Sequence, residues 1–369
     1  MKEMRVLQVA RQYKPSIGGI ENFVEQLALH LQKKGIESEV LTLNRDFSTN
    51  KKLLNRSVEN GVNVTRIPHV GSRRYPIALS TIRYLRDFDI IHIHAVDFFI
   101  DYLALFKWFH RKPIILSTHG GFFHTKNQYR LKKIYFHSVT RFSVHKAERI
   151  VASSHNDYDM FRSISSPNLC VIENGIDFET FHSIQFESAN RNQLVFIGRF
   201  SRNKRIDRLL QLVNALKEDI PHIRLKIVGK DYDRLKDQLQ EMISEFGINQ
   251  NVEILESLPQ PEMLKVIAQS RYFISASEYE GFGLSALEAM AAGKIPLLSN
   301  IPSFQKMVNH GKNGFLLDFN QMDSALKTVK KAISLENQEK IAAAAVNTAR
   351  RYSWESVVVR FREVYDQAF

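Results

Sequence analysis

The 369-residue chain holds a single cysteine, Cys170, which excludes a disulfide framework and a cysteine-based zinc site and fits a reducing compartment. Its 16 glycines and 10 prolines are too few for a collagen-like or low-complexity chain. No run reaches about 18 uninterrupted apolar residues, and the opening MKEMRVLQVARQYKP has no apolar segment of the secretory kind. The expectation is a cytoplasmic protein without a membrane span. The G-x-G-x-x-G fingerprint is missing, which disfavours hydride transfer. Metal ligands are also scarce. His92 and His94 alternate in DIIHIH with no evident third ligand, so a structural role is expected for them. The Asp87/Asp89, Asp157/Asp159 and Asp231/Asp233 pairs stand without a second ligand cluster, so no metal or other cofactor is expected.

Acidic residues are in deficit, and unevenly so. Lys and Arg number 51 against 39 Asp and Glu, a net charge of +12. Residues 105–149 hold 10 basic side chains and one acidic, Glu148, which equals the whole excess of residues 1–184. Such a patch calls for an anionic partner. A nucleic-acid partner is set aside, because no helix-turn-helix, RNP or zinc signature is present. The stretch interleaves its charge with Phe106, Trp108, Phe109, Phe122, Phe123, Tyr129, Tyr135, Phe136 and Phe142. On a helix from about Asn127, Arg130, Lys133, His137 and Arg141 recur at helical spacing, with Leu131, Tyr135 and Phe142 on a neighbouring face. An anionic membrane surface fits this pattern, and a solvated helix face is the alternative.

Short apolar runs alternate with helical patterns throughout. RVLQVA, VLTL, DIIHIH, PIILST and RIVAS mark the first half; QLVFIG, RLKIVG, NVEIL, YFIS and KIPLLS mark the second. Unalternated apolar strands separated by helices predict buried parallel sheets. The expected architecture is α/β, with two facing Rossmann-like domains and ligands at the carboxyl ends of their strands. The expected boundaries are 1–184 for one domain, 185–352 for the other, and a terminal helix at 353–369 that packs on either half.

Four motifs sit at strand-to-helix turns. In SEYEGFGLSALEAMAAG, Gly281 and Gly283 flank a tight turn after Glu280, and Glu288 lies on the second turn of the helix that Leu284 opens. A carboxylate there accepts hydrogen bonds from adjacent hydroxyls of a sugar or ribose, and the helix N-terminus offers N–H groups to an anion. In IGRFSRNKRID, Gly198 follows a strand and Arg199 and Lys204 bracket a loop. Two cations there hold a diphosphate and stabilise its charge as it leaves. A solvated loop is the plainer reading for Arg202 and Arg205. PSIGGIE places Gly18 and Gly19 where backbone can approach a ligand, with Glu21 in the first helical turn. STHGGFFH puts His119 after a strand, placed to donate to a hydroxyl or carbonyl.

Together, the E-x7-E pair Glu280/Glu288, the Gly198–Arg199–Lys204 loop, Gly18-Gly19, NGID at 174–177 and NGFLL at 313–317 resemble the retaining glycosyltransferases of family 4, which have the GT-B architecture. RQYKPSIGGIE, SRRYPIALS, VDFFIDYLALFK and THGGFFH are similar to the α-mannosyltransferases that extend cellobiosyl-diphosphopolyprenol in xanthan- and acetan-type exopolysaccharide assembly. The resemblance implies a nucleotide-sugar donor, GDP-mannose first, and a polyprenyl-diphosphate-linked acceptor, at the inner face of the cytoplasmic membrane. It implies that Arg199 and Lys204 hold the donor diphosphate, Glu288 the ribose, and Glu280 the transferred sugar. Phe282 belongs to the same donor loop. Gly18 and Gly19 would lie against the phosphates, His119 near the sugar, and Ser154 aligns with a serine of these relatives. Ser257 stands where many relatives carry glycine, and Lys306 near an expected acid; both bear on the base and the sugar. A UDP-sugar enzyme on another glycan acceptor, or a non-catalytic glycan- or nucleotide-binding protein, are the alternatives.

Overall fold

The computed structural model describes residues 4–120, 129–165, 167–184 and 192–369. The chain divides into two units, Met1–Gly175 with Trp354–Phe369, and Ile176–Ser353.

The first unit is built on strands β1 (Arg5–Val9), β2 (Glu37–Leu43), β3 (Arg56–Glu59), β4 (Val62–Ile67), β7 (Ile90–His94), β8 (Ile114–Ser117), β9 (Arg149–Ala152) and β10 (Leu169–Val171), while β5 (Val70–Gly71) and β6 (Pro76–Ile77) form a separate small hairpin. The order is β10-β9-β8-β7-β1-β2-β4-β3, and all pairs are parallel except β3 with β4. Strand alternation sends Leu7, Val9, Ile91 and Ile93 into one apolar cluster. Val6 and Ile90 go into another, with Phe23 and Leu27 of helix Gly19–Lys33 and Trp354 and Phe361 of helix Trp354–Asp366. The terminal helix is thus part of this unit's core. Gly175 of the NGID motif has a steric reason: a Cβ there would come within 2.5 Å of the Trp354 ring.

The second unit has β11 (Gln193–Ile197), β12 (Arg224–Gly229), β13 (Val252–Glu256), β14 (Tyr272–Ser275), β15 (Ile295–Ser299) and β16 (Phe315–Leu317), all parallel, in the order β13-β12-β11-β14-β15-β16. Its boundary corrects the expected one at 184. Helix Phe178–His182 belongs to this unit, because Phe178 and Phe181 are buried with Leu287 and Met290. The polar composition around them resembles a linker, yet these two aromatics decide where the segment packs. At the other end the unit runs to Ser353, one residue beyond the expected 352.

Among the parallel strands of each sheet the chain order reverses once, between β1 and β7 in the first unit and between β11 and β14 in the second. Loops leaving adjacent parallel strands in opposite directions open a crevice there. The motifs at 15–21 and 197–207 follow β1 and β11, the inner strands of these two switch points.

Candidate active site

In the second unit the switch point brings two of the motifs together. β11 ends at Ile197, and the loop from Gly198 leads through a short turn, Arg202–Lys204, into helix Ile206–Leu216. β14 ends at Ser275, so Glu280 lies in the following loop and not at the strand end itself. The Lys204 ammonium pairs with the Glu280 carboxylate, both side chains being mostly enclosed. Ser277 donates to the same carboxylate oxygen at 3.0 Å, and Ser275 Oγ lies 3.0 Å from Ser277 Oγ. Further bonds clamp the two loops. Asn203 Nδ2 donates to the Tyr279 carbonyl at 3.1 Å, and Glu278 N donates to the Asn203 carbonyl at 2.9 Å. Arg205, in the left-handed conformation with φ 48°, pairs with both Asp207 and Glu278. Arg205 thus has a structural role rather than a solvated one. Asn203 and Ser277 are site residues that sequence reasoning missed, because single polar residues in loops carry no periodic signal.

Arg199 is exposed, with its guanidinium 4.9 Å from the Tyr232 ring centroid. The loops approach closely at Gly229, where a Cβ would lie 1.8 Å from the Gly198 carbonyl oxygen. Gly283 adopts φ 94° and a Cβ there would press on Phe304 at 2.8 Å, so this turn requires glycine. Gly281 faces open space, Phe282 packs edge-on to Tyr352, and Leu284 starts helix Leu284–Ala291 with no side-chain cap on its N–H groups. On that helix Glu288 is partly buried. Desolvation, reinforced by the charge of Asp177, pushes its carboxyl up to about 7. Ser257 adopts φ 55°, the left-handed region that favours glycine, which matches the departure noted at this position.

In the first unit the loop after β1 leads to helix Gly19–Lys33, whose N-cap Gly18 offers no capping side chain. A Cβ on Gly18 would meet only the flexible Glu21 carboxylate, and one on Gly19 would meet nothing within 4 Å. Space is therefore open beside Gly19, while the Glu21 carboxylate occupies the place beside Gly18. His119 follows β8 with φ 53°, 4.7 Å edge-on to Phe23. Its Nε2 lies 2.9 Å from His94 Nδ1, and burial pushes its imidazolium down to about 4. Ser154 caps helix His155–Arg162, its hydroxyl accepting from Asp157 N at 3.1 Å, so a structural role accounts for it. Among the described residues no group of three or more His, Cys, Asp or Glu side chains is placed to hold a metal.

The basic segment is more internally engaged than its composition suggests. Phe122 and Phe123, with the side chains of Tyr129, Arg130 and Leu131, lie outside the described residues. Tyr135 is bound to Asp101 rather than lying on a free face, and Asp101 also accepts from Tyr75 at 2.8 Å and Ser143 at 2.6 Å. Phe136 is buried, and Lys107 is paired with Glu148 at 2.6 Å. Trp108, Phe109, Ile134 and Phe142 are exposed, as are Lys133, His137 and Arg141.

Residues 17–180 match Glycosyltransferase Family 4, and residues 177–351 match Glycosyl transferases group 1. The GDP-mannose:cellobiosyl-diphosphopolyprenol alpha-mannosyltransferase of Xanthomonas campestris is 38% identical over 99% of this chain and 97% of its own length. The enzyme of that name from Komagataeibacter xylinus is 37% identical over 99% of this chain and 93% of its own. The chain is a family 4 glycosyltransferase. Among solved structures, a glycosyltransferase from Rickettsia africae superimposes with TM-score 0.75 at 18% identity, covering 100% of this chain and 99% of that one. Anabaena HepE in complex with UDP gives TM-score 0.75 at 16% identity, covering 98% and 100%. The fold of this glycosyltransferase is therefore GT-B, two Rossmann-like units in one chain. No helix among its described residues is long and apolar enough to cross a membrane.

Proposed function

We propose that this glycosyltransferase moves mannose from GDP-mannose, with retention of configuration, onto a polyprenyl-diphosphate-linked oligosaccharide in exopolysaccharide assembly. The observation that carries the reading is the near full-length identity to enzymes named for that reaction. The site chemistry supports it. Breaking the anomeric carbon–oxygen bond leaves negative charge on the diphosphate and positive charge on the sugar. Lys204, paired with the Glu280 carboxylate that Ser277 also binds, and Arg199 supply cations for the departing diphosphate, aided by the uncapped helix N-terminus after Gly283. Glu288 accepts from the ribose hydroxyls, and Glu280 orients the sugar. The sequence offers no clear carboxylate nucleophile near His119, so attack on the same face as the departing diphosphate is favoured. The reading needs no metal, because side-chain cations and backbone N–H groups supply the positive charge. A panel of GDP- and UDP-sugars in a donor-hydrolysis assay tests it. GDP-mannose is the expected substrate, and a preference for a UDP-sugar would favour the alternative enzyme reading.

The basic and aromatic segment within 105–149 serves, in the same reading, to hold the enzyme on the anionic membrane that carries the acceptor. The exposed Trp108, Phe109, Ile134 and Phe142 supply apolar contact, with Lys133, His137 and Arg141 exposed beside them in the sequence. Each Lys or Arg near an anionic leaflet contributes about 1 kcal/mol. Co-sedimentation with liposomes is expected to require anionic lipid, to fall with salt, and to weaken when Lys132, Lys133 and Arg141 become Ser. Equal sedimentation with neutral vesicles would contradict it.

A further inference from the structure

The first unit contains a line of enclosed polar side chains that the proposed reaction does not use directly. His92 Nδ1 lies 2.7 Å from the Tyr365 hydroxyl, and His92 Nε2 lies 2.8 Å from Ser117 Oγ. His94 Nε2 lies 2.8 Å from Gln8 Oε1, while its Nδ1 faces His119 Nε2 at 2.9 Å. Gln8 Nε2 donates to Ser38 Oγ at 3.2 Å, and the Gln8 side chain also hydrogen-bonds Tyr365. Gln8, His92, His94 and Tyr365 are fully buried. Four neighbouring strands, β2, β1, β7 and β8, and the terminal helix contribute to this line: Gln8 is in register with His92 across β1 and β7, and His94 with Ser117 across β7 and β8.

Burial keeps the imidazoles of His92, His94 and His119 neutral, each pushed below its ordinary value. A neutral imidazole carries one N–H and one lone pair. The Gln8 amide oxygen can only accept, so His94 carries its proton on Nε2 and presents a lone pair at Nδ1. The nitrogen facing that lone pair, His119 Nε2, must bring the hydrogen. His119 Nδ1 is then left unprotonated, and no described residue partners it.

We infer that Gln8 and His94 are positioning residues that fix the tautomer of His119, so that His119 meets a sugar hydroxyl as an acceptor through Nδ1 rather than as a donor. The inference rests on the proposed placement of His119 beside the transferred sugar. It fits the chemistry of that place. An imidazolium, or an N–H aimed at the sugar, would oppose the positive charge that grows on the ring, whereas a neutral lone pair favours it. Phe23, edge-on to both His94 and His119, braces the two rings. The HIH alternation of β7 thus acquires a function through its second histidine.

The test is nitrogen-15 NMR of histidine-labelled protein, with the His119 signals assigned by their loss in His119→Asn. The wild type is expected to show His119 protonated at Nε2 and bare at Nδ1, a reading that requires no turnover and stands apart from the donor assay. Gln8→Met, close in size but without the acceptor, is expected to mix the two tautomers of His94 and His119. It should lower kcat about tenfold with the donor KM changed less than about twofold. A proton on Nδ1 of His119 in the wild type overturns the inference even if Gln8→Met does not fold. A change of tautomer without a change in kcat, or the reverse, overturns it as well.

Discussion

Glu288 titrates close to neutrality because helix Leu284–Ala291 carries it into a partly enclosed place near Asp177, where a carboxylate is poorly solvated. The sign of the consequence is fixed. Between about pH 4.5 and about 7 the folded chain keeps a proton that the unfolded chain has released, so stability falls as pH rises through that window. The ionised side chain costs the fold at most about 3 kcal/mol above pH 7. Glu288→Gln is therefore expected to melt higher than wild type at pH 8, to converge with it below pH 4.5, and to bind nucleotide more weakly by calorimetry. A melting difference independent of pH would refute the burial argument, and unchanged nucleotide affinity would refute the ribose role. Glu288 was visible in the sequence from its spacing to Glu280. Its altered acidity was not, since that comes first from burial of the side chain and then from Asp177, brought close by the packing of helix Phe178–His182 in the same unit.

Two loops from neighbouring strands form the proposed donor site of the second unit, and their residues divide by what they touch. Lys204 reaches Glu280, while Arg205 and Asn203 bind the second loop at Glu278 and Tyr279. Lys204→Ala is expected to lower kcat by a factor of about 100 or more, with melting little changed, because the leaving group loses a cation. Arg205→Ala loosens the clamp and is expected to act more mildly on kcat, while hydrogen exchange in residues 276–283 speeds up. A near-wild-type rate in Lys204→Ala would remove it from the site. The alternation of strands and helices was legible because buried parallel strands are written as apolar runs, and the glycine turns because few other residues suit such turns. What the sequence could not disclose were contacts made across strands. His94 and His119 are 25 residues apart and meet only because β7 and β8 are neighbours in the sheet. Tyr135 looked like part of a surface face, yet it turns inward because Asp101 is there to receive it.

On the scale of the whole chain, both units repeat one design: a largely parallel sheet, a switch point between its parallel strands, and a glycine turn leading to a helix N-terminus without a side-chain cap at its N-cap glycine. In the proposed reading the same elements serve in each half for an anionic ligand, and the net charge of +12 agrees with substrates that carry phosphate. Family membership is settled by near full-length identity, whereas donor, acceptor and the absence of a metal requirement belong to the proposed reading. They are tested most directly together, by incubating the purified chain with GDP-mannose and cellobiosyl-diphosphopolyprenol in excess EDTA and determining the product's anomeric configuration. The account predicts transfer of mannose with the α configuration at full rate; no transfer, a β-linked product, or activity restored only by Mg²⁺ or Mn²⁺ would contradict it.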